Sequence, residues 1–152
     1  MFINIKKLEY FEGELPKYET SGSVGFDLRA QLVNEEGMYF ESIFIKPNER
    51  KLIPTRLAIA IPEGYEMQIR PRSGLAFKKG LTVVNTPGTI DSDYRGEIMV
   101  AIINLSQEII ELKNNDRIAQ GVISPIVKAQ FKEVDNLEET VRGSGGFGST
   151  GN

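Results

Sequence analysis

Apolar residues in this chain recur in short alternating runs, not at helical spacing. Tyr65-Glu66-Met67-Gln68-Ile69-Arg70 alternates cleanly, which predicts a half-buried strand. Similar runs predict strands at residues 2–8, 51–55, 57–62, 81–85, 98–103, 109–112, 117–123 and 131–134. A glycine-punctuated run, Ser21 to Ala30, enters another. Turn chemistry separates them at Pro47–Arg50, Glu63-Gly64 and Asn114–Asp116. Residues 31–46 form a polar, hairpin-like excursion with Asn34, two glutamates and Gly37 at its tip. One stretch breaks the alternation. Ser73 to Gly80 reads as a short helix, with Ser73 as its cap and Gly80 closing it. About ten strands at 8–12-residue spacing with at most one short helix predict an all-β sandwich or barrel.

With 152 residues the chain fits one domain, expected over residues 1–137, followed by a mobile glycine-rich arm at 138–152. Net charge is −3, so no global basic field points to nucleic acid. There is no cysteine and no histidine. Thiolate nucleophiles, Ser-His triads and imidazole metal sites are thereby excluded. A metal must be a hard, oxygen-ligated ion such as Mg²⁺, and a general base must be a carboxylate, Lys or Tyr. The first residues, Met1 to Lys7, alternate between apolar and polar and carry charge, and no apolar run is long enough to span a bilayer, so a cytoplasmic protein without a membrane partner is expected.

Candidate chemistry concentrates in Asn85 to Glu97. Pro87 and Gly88 supply a turn, and three carboxylates, Tyr94 and Arg95 follow within seven residues, Asp91 to Glu97. The stretch is either a charged hairpin tip or a turn that presents a backbone edge and a fixed carboxylate to a flat ligand. Asp27, between Phe26 and Leu28, either faces solvent or anchors a neighbouring loop. Arg72 beside the start of the short helix suits a phosphate, or is simply a solvated arginine on a capped helix. Gln120 is a polar residue within a strand and faces a ligand or water. The tail satisfies two phosphate-loop spacings (Gly143, Gly145 and Gly148 among them), but neither is followed by the helix those motifs need. It still carries Arg142, Phe147, Ser149 and Thr150, the parts for clamping a phosphorylated ring; a plain linker is the alternative.

Five segments in this order resemble the trimeric dUTPases. They are Gly22–Leu28, Arg72–Ala76, Asn85–Glu97, Asp116–Gln120 and the glycine tail, and the match runs from Leu15 to Gly151. The resemblance implies a jelly-roll-like distorted barrel (a β-clip), a homotrimer with active sites shared between subunits, and hydrolysis of dUTP to dUMP and pyrophosphate with Mg²⁺. It further implies Asp91 as general base and Tyr94 beneath the deoxyribose. Asn85, Thr89, Ile90 and Asp91 would read uracil, with Met99 nearby. Arg72, Ser73, Gly74 and Gln120 would contact phosphates, as would Arg142, Ser149 and Thr150, with Phe147 and Gly148 in the lid over the base. Asp27 would be mainly structural and able to reach the metal through water. Two residues depart from the family pattern: Arg56 stands where relatives usually have Gly, and Gly121 where they usually have Leu. The excursion near residues 34–42 is also long. A nucleotide-holding regulatory protein and a dCTP deaminase are the rival readings.

Overall fold

A computed structural model describes residues 1–146, which form eleven strands and one seven-residue helix. The strands are β1 (Asn4–Lys7), β2 (Phe26–Arg29), β3 (Ser42–Ile45), β4 (Arg50–Pro54), β5 (Leu57–Ala60), β6 (Tyr65–Arg70), β7 (Leu81–Val83), β8 (Gly88–Ile90), β9 (Met99–Asn104), β10 (Ile110–Lys113) and β11 (Arg117–Pro125). The helix α1 spans Ser73–Lys79. Four antiparallel sheets wrap a shared core, in the strand orders β1-β5, β3-β10, β2-β11-β6-β8 and β4-β9-β7. The result is an all-β, barrel-like body.

Alternation decides which face is inside. Phe26 and Leu28 of β2 point inward while Asp27 and Arg29 point outward. Met67 and Ile69 do the same on β6, and Val100 and Ile102 on β9. Leu28, Ile45, Met67, Ile98, Ile102 and Leu112 are fully buried in one cluster. Each such side chain stabilises the fold by about 1.5–3 kcal/mol relative to exposure.

Three expectations need correction. Residues 131–134 form no strand, because Phe131 is fully exposed and no described residue offers this segment a pairing edge. Ser73 is not the helix cap. Arg72 is extended (φ −87°, ψ 123°) and holds that position with no side-chain cap bond, so Ser73 is the first residue of the helix. Gly80 closes the helix as expected, in the left-handed region at φ 69°. The excursion contains β3, whose alternating Ile43 and Ile45 sit next to polar turns that disguise them.

Gly121 is explained by packing. A Cβ there would lie 2.6 Å from the Phe26 ring and 3.2 Å from Met67 Sδ, so the large Phe26 requires a glycine opposite. Phe26 also meets Tyr18 edge-on, with ring centroids 5.7 Å apart.

Asn104 is the main buried polar joint. Its Nδ2 donates to the carbonyls of Ile45 (2.9 Å) and Glu108 (2.7 Å), and its Oδ1 accepts from Ser106 N (2.9 Å) and Ser106 Oγ (2.7 Å). Asn104→Ala leaves the buried Ile45 carbonyl unpaired, at about 1–3 kcal/mol before relaxation, and frees the half-buried Ser106 and the Glu108 carbonyl. A clear fall in the urea midpoint is expected, and an unchanged midpoint would contradict the joint's role. Glu49 holds the preceding turn. Its pKa is lowered from 4.5, first by the Lys46 backbone N–H (2.7 Å) and then by Lys51 (2.9 Å). A depressed folded-state pKa stabilises above the unfolded value. The stability gap between wild type and Glu49→Gln should therefore be full near neutrality and close as pH falls from about 4.5 through the lowered value. Parallel pH–urea titrations measure it.

Candidate functional site

The stretch 85–97 is not the tip of a hairpin. Its first part, β8, pairs with β6 (Gly88 with Ile69, Thr89 with Gln68, Ile90 with Met67), whereas the following strand β9 lies in another sheet between β4 and β7. The turn therefore bridges two sheets and is tied at both ends. At the entry, Thr86 Oγ1 donates to Val83 O (2.5 Å), and the Thr86–Pro87 peptide is cis. Gly88 is buried. A Cβ there would stand 3.2 Å from Asn85 Nδ2 and 3.3 Å from Ile69, so glycine lets the Asn85 amide lie over the strand.

Beyond Asp91 the chain closes on itself. Tyr94 N donates to Asp91 O (3.2 Å), and Arg95 Nη1 donates to the carbonyls of Ser92 (2.7 Å) and Tyr94 (2.8 Å). The Tyr94 hydroxyl donates to Glu97 O (2.9 Å), and its ring covers Gly96 so closely that a Cβ there would overlap it. At the exit, Glu97 Oε1 accepts from Arg56 N (2.7 Å), Ile98 N donates to Leu57 O (2.7 Å), and Thr55 Oγ1 donates to Ile98 O (2.6 Å). Asp91, Asp93 and Tyr94 are left exposed on a braced loop. Met99 is half-buried opposite Pro54.

Arg72, Ser73, Gly74 and Gln120 come together elsewhere, in an open cleft of about 470 Å³ with Gly25, Asp27 and Arg117, a size suited to a small ligand. Asp27 lies within an ion-pair fork. Its Oδ1 is 2.8 Å from Arg72 Nε and its Oδ2 is 3.2 Å from Arg117 Nη1, with the carboxylate side chain only 15% exposed. Of its two readings, the anchor is the one realised. Gln120 is half-buried and donates from Nε2 to Pro71 O (2.9 Å), which pins the approach to α1. Gly25 leaves room for the other end of that amide, since a Cβ there would collide with Gln120 Oε1. Arg72, Arg117, Lys78 and Lys79 make this cleft cationic.

Asp91 and Thr89 line a different cleft, with Glu63, Glu66, Asp93 and Arg95. The sheet register explains the separation. Gln120 pairs with Arg70 at one end of β6, while Ile90 pairs with Met67, which puts Asp91 beside the Glu66 position near the other. Four residues of strand span roughly 13 Å. Within one chain the carboxylate turn and the cationic cleft are thus held apart. Arg142 is exposed and donates to Gly145 O (2.8 Å) within the tail, and it lines neither cleft among the described residues. Phe147, Gly148, Ser149 and Thr150 lie outside the described residues.

Sequence reasoning passed over three supports: Arg117 on the far side of Asp27, Gly25 beneath Gln120, and the Arg56–Glu97 contact at the base of the turn. Arg117 and Glu97 were within reach, because each sits inside a charged motif whose partner is an isolated residue of opposite sign.

Among the described residues no group of three or more carboxylates is placed to hold a metal ion, and Asp27 gives both oxygens to arginines. The residues do not make a magnesium site by themselves. No helix among them is long and apolar enough to cross a membrane.

The chain is similar to known proteins over nearly its full length. The chain is 57% identical over 151 residues to the deoxyuridine 5'-triphosphate nucleotidohydrolase of Nautilia profundicola, covering 99% of each chain. It is 52% identical over 149 residues to the enzyme of the same name from Bdellovibrio bacteriovorus, covering 98% of this chain and 95% of that one. A mutant dUTPase of Staphylococcus bacteriophage 80alpha with dUpNHpp superposes with a TM-score of 0.82 at 26% identity, covering 99% of both chains. The family model described as dUTPase matches residues 12–151, and with these full-length likenesses the chain belongs to the dUTPase family.

Proposed function

We propose that this chain hydrolyses dUTP to dUMP and pyrophosphate in sites assembled between the subunits of a homotrimer. The observation that carries the reading is the separation across β6. Within one chain the turn bearing Asp91 and the cationic cleft at α1 lie in separate clefts toward opposite ends of β6, and a second copy can bring one to the other. Family membership supports the substrate, and the braced turn supports the chemistry.

The turn supplies recognition. Asn85 and the backbone from Thr89 to Asp91 face uracil's O4 and N3–H, with Met99 behind them. An exocyclic amine in place of O4 mismatches that edge, so cytosine is refused. The Tyr94 ring fills the space under the deoxyribose where a 2′-hydroxyl would go. Asp91, exposed at the end of β8, accepts a proton from the attacking water and aims it at the α-phosphorus. Such a base contributes about 10²–10⁴-fold. In-line displacement otherwise depends on position and charge stabilisation.

The cleft supplies the cations. Arg72 presents a guanidinium that Asp27 keeps oriented, and Ser73 and Gly74 add the first N–H groups of α1, which lack intrahelical acceptors. Gln120 adds an amide that also holds Pro71. The arm at 138–152 then closes over a neighbouring site, Arg142, Ser149 and Thr150 on the phosphates and Phe147 with Gly148 over the base. Mg²⁺ would be carried by the hard oxygens of the triphosphate and would offset part of its charge there. In a cytoplasm the reaction would keep uracil out of DNA and supply dUMP.

Pyrophosphate release from dUTP, without ammonia release from dCTP, tests the activity. Asp91→Asn should bind dUTP normally and lose about 10²–10⁴-fold in turnover; unchanged turnover would remove Asp91 as the base. Subunit mixing tests the shared site. Asp91→Asn and Arg72→Ala chains, each inactive alone, should regain about a quarter of wild-type activity when unfolded together in equal amounts and refolded, because that fraction of sites draws both intact halves. No recovery in stable mixed oligomers would mean that both halves belong to one chain.

A further inference from the structure

Arg56 is a non-glycine residue in the left-handed region, at φ 52°, in the link between β4 and β5. Its backbone N–H donates to Glu97 Oε1 (2.7 Å), and its Nη1 lies 3.7 Å from Glu97 Oε2. Its Nη2 reaches the other way and donates to the carbonyls of Val33 and Asn34, both at 3.1 Å. The side chain is only 17% exposed, and its Nε is buried with no hydrogen-bond partner among the described residues. Burying a guanidinium with one nitrogen unmatched disfavours this position, so the remaining contacts must hold it there.

The excursion it grips is a firm platform. Asn34 Oδ1 accepts from the N–H groups of Glu36 (3.1 Å) and Met38 (2.8 Å), which shapes the tip. Tyr39 donates its hydroxyl to Tyr10 O (2.7 Å), and Gly37 lies against the Tyr10 ring. On the other side, Glu97 O receives the Tyr94 hydroxyl, and Tyr94 N bonds back to Asp91 O. Two of the departures noted in the sequence, Arg56 and the long excursion, therefore meet in space.

We propose that Arg56 is a positioning residue for the hydrolytic turn: it clamps Glu97 against the excursion and so sets where Tyr94 and Asp91 stand. The proposal rests on the dUTP-hydrolase reading above. The uracil-facing half of the turn is fixed separately by pairing with β6, so losing the clamp disturbs the aim of Asp91 and the fit of Tyr94 to the sugar more than nucleotide affinity.

Arg56→Gly is a clean test, because glycine suits φ 52° and keeps the backbone N–H that reaches Glu97. It should lower kcat for dUTP about tenfold with little change in KM, and narrow the preference for dUTP over UTP. Arg56→Lys should recover only part of the loss, since one ammonium cannot span Glu97 and two carbonyls. Amide exchange across residues 91–98 in the nucleotide-free protein should speed up in Arg56→Gly. A double-mutant cycle with Glu97→Ala should be non-additive, because both changes release the Arg56–Glu97 contact. Wild-type kcat, dUTP preference and exchange in Arg56→Gly would overturn the proposal, as would a kcat loss that adds to that of Glu97→Ala with exchange unchanged. A wild-type protein that leaves dUTP intact would sink the underlying hydrolase reading instead, and the exchange comparison would still decide whether Arg56 braces the turn.

Discussion

Antiparallel pairing on both sides of β6 is the constraint from which the arrangement follows. β11 runs along one edge and β8 along the other, and each register is set by which residues must face the core. A slip of one residue would turn Met67 and Ile69 outward and expose the apolar side of the sheet. The register therefore cannot drift. It fixes Gln120 at the Arg70 end and Asp91 near the Glu66 end. Packing in the core thus decides how far apart two sets of polar groups stand at the surface.

The polar groups are themselves braced before any ligand arrives. A net negative chain that handles a polyphosphate must concentrate cations locally. Arg72 and Arg117 would repel each other across the cleft, and Asp27 between them offsets that repulsion while fixing one guanidinium in direction. The turn is stiffened in a comparable way. Its carbonyls are taken up by Arg95 and by the Tyr94 hydroxyl, and the side chains of Asp91 and Asp93 stand exposed on the braced loop. Preorganisation of this kind reduces the reorganisation needed when charge develops.

Strand content was readable because alternation is a local signal, and most strands appear within a residue or two of the apolar runs that predict them. The miss at Phe131–Val134 has a different cause. Its pattern is apolar, but a strand exists only where a second edge accepts its backbone groups, and periodicity does not record that. β8 was hidden for the opposite reason. Gly88-Thr89-Ile90 looks like turn chemistry, and only its pairing with Met67–Ile69 makes it a strand. The motif residues Asp27, Arg72, Gln120 and Asp91 could be named from the chain. Their division into two clefts could not, because it depends on the register of three strands distant in sequence. Arg56 illustrates the same limit: a substitution that looks like a blemish in one dimension is a clamp in three.

The most direct measurement is a crystal structure of the full chain with dUpNHpp and Mg²⁺. The expected density places uracil against the Asn85–Asp91 edge of one subunit, a water between the Asp91 carboxylate and the α-phosphorus, and the phosphates at Arg72, Ser73 and Gly74 of another subunit. Nucleotide bound wholly within one chain, or away from the turn, would contradict the account.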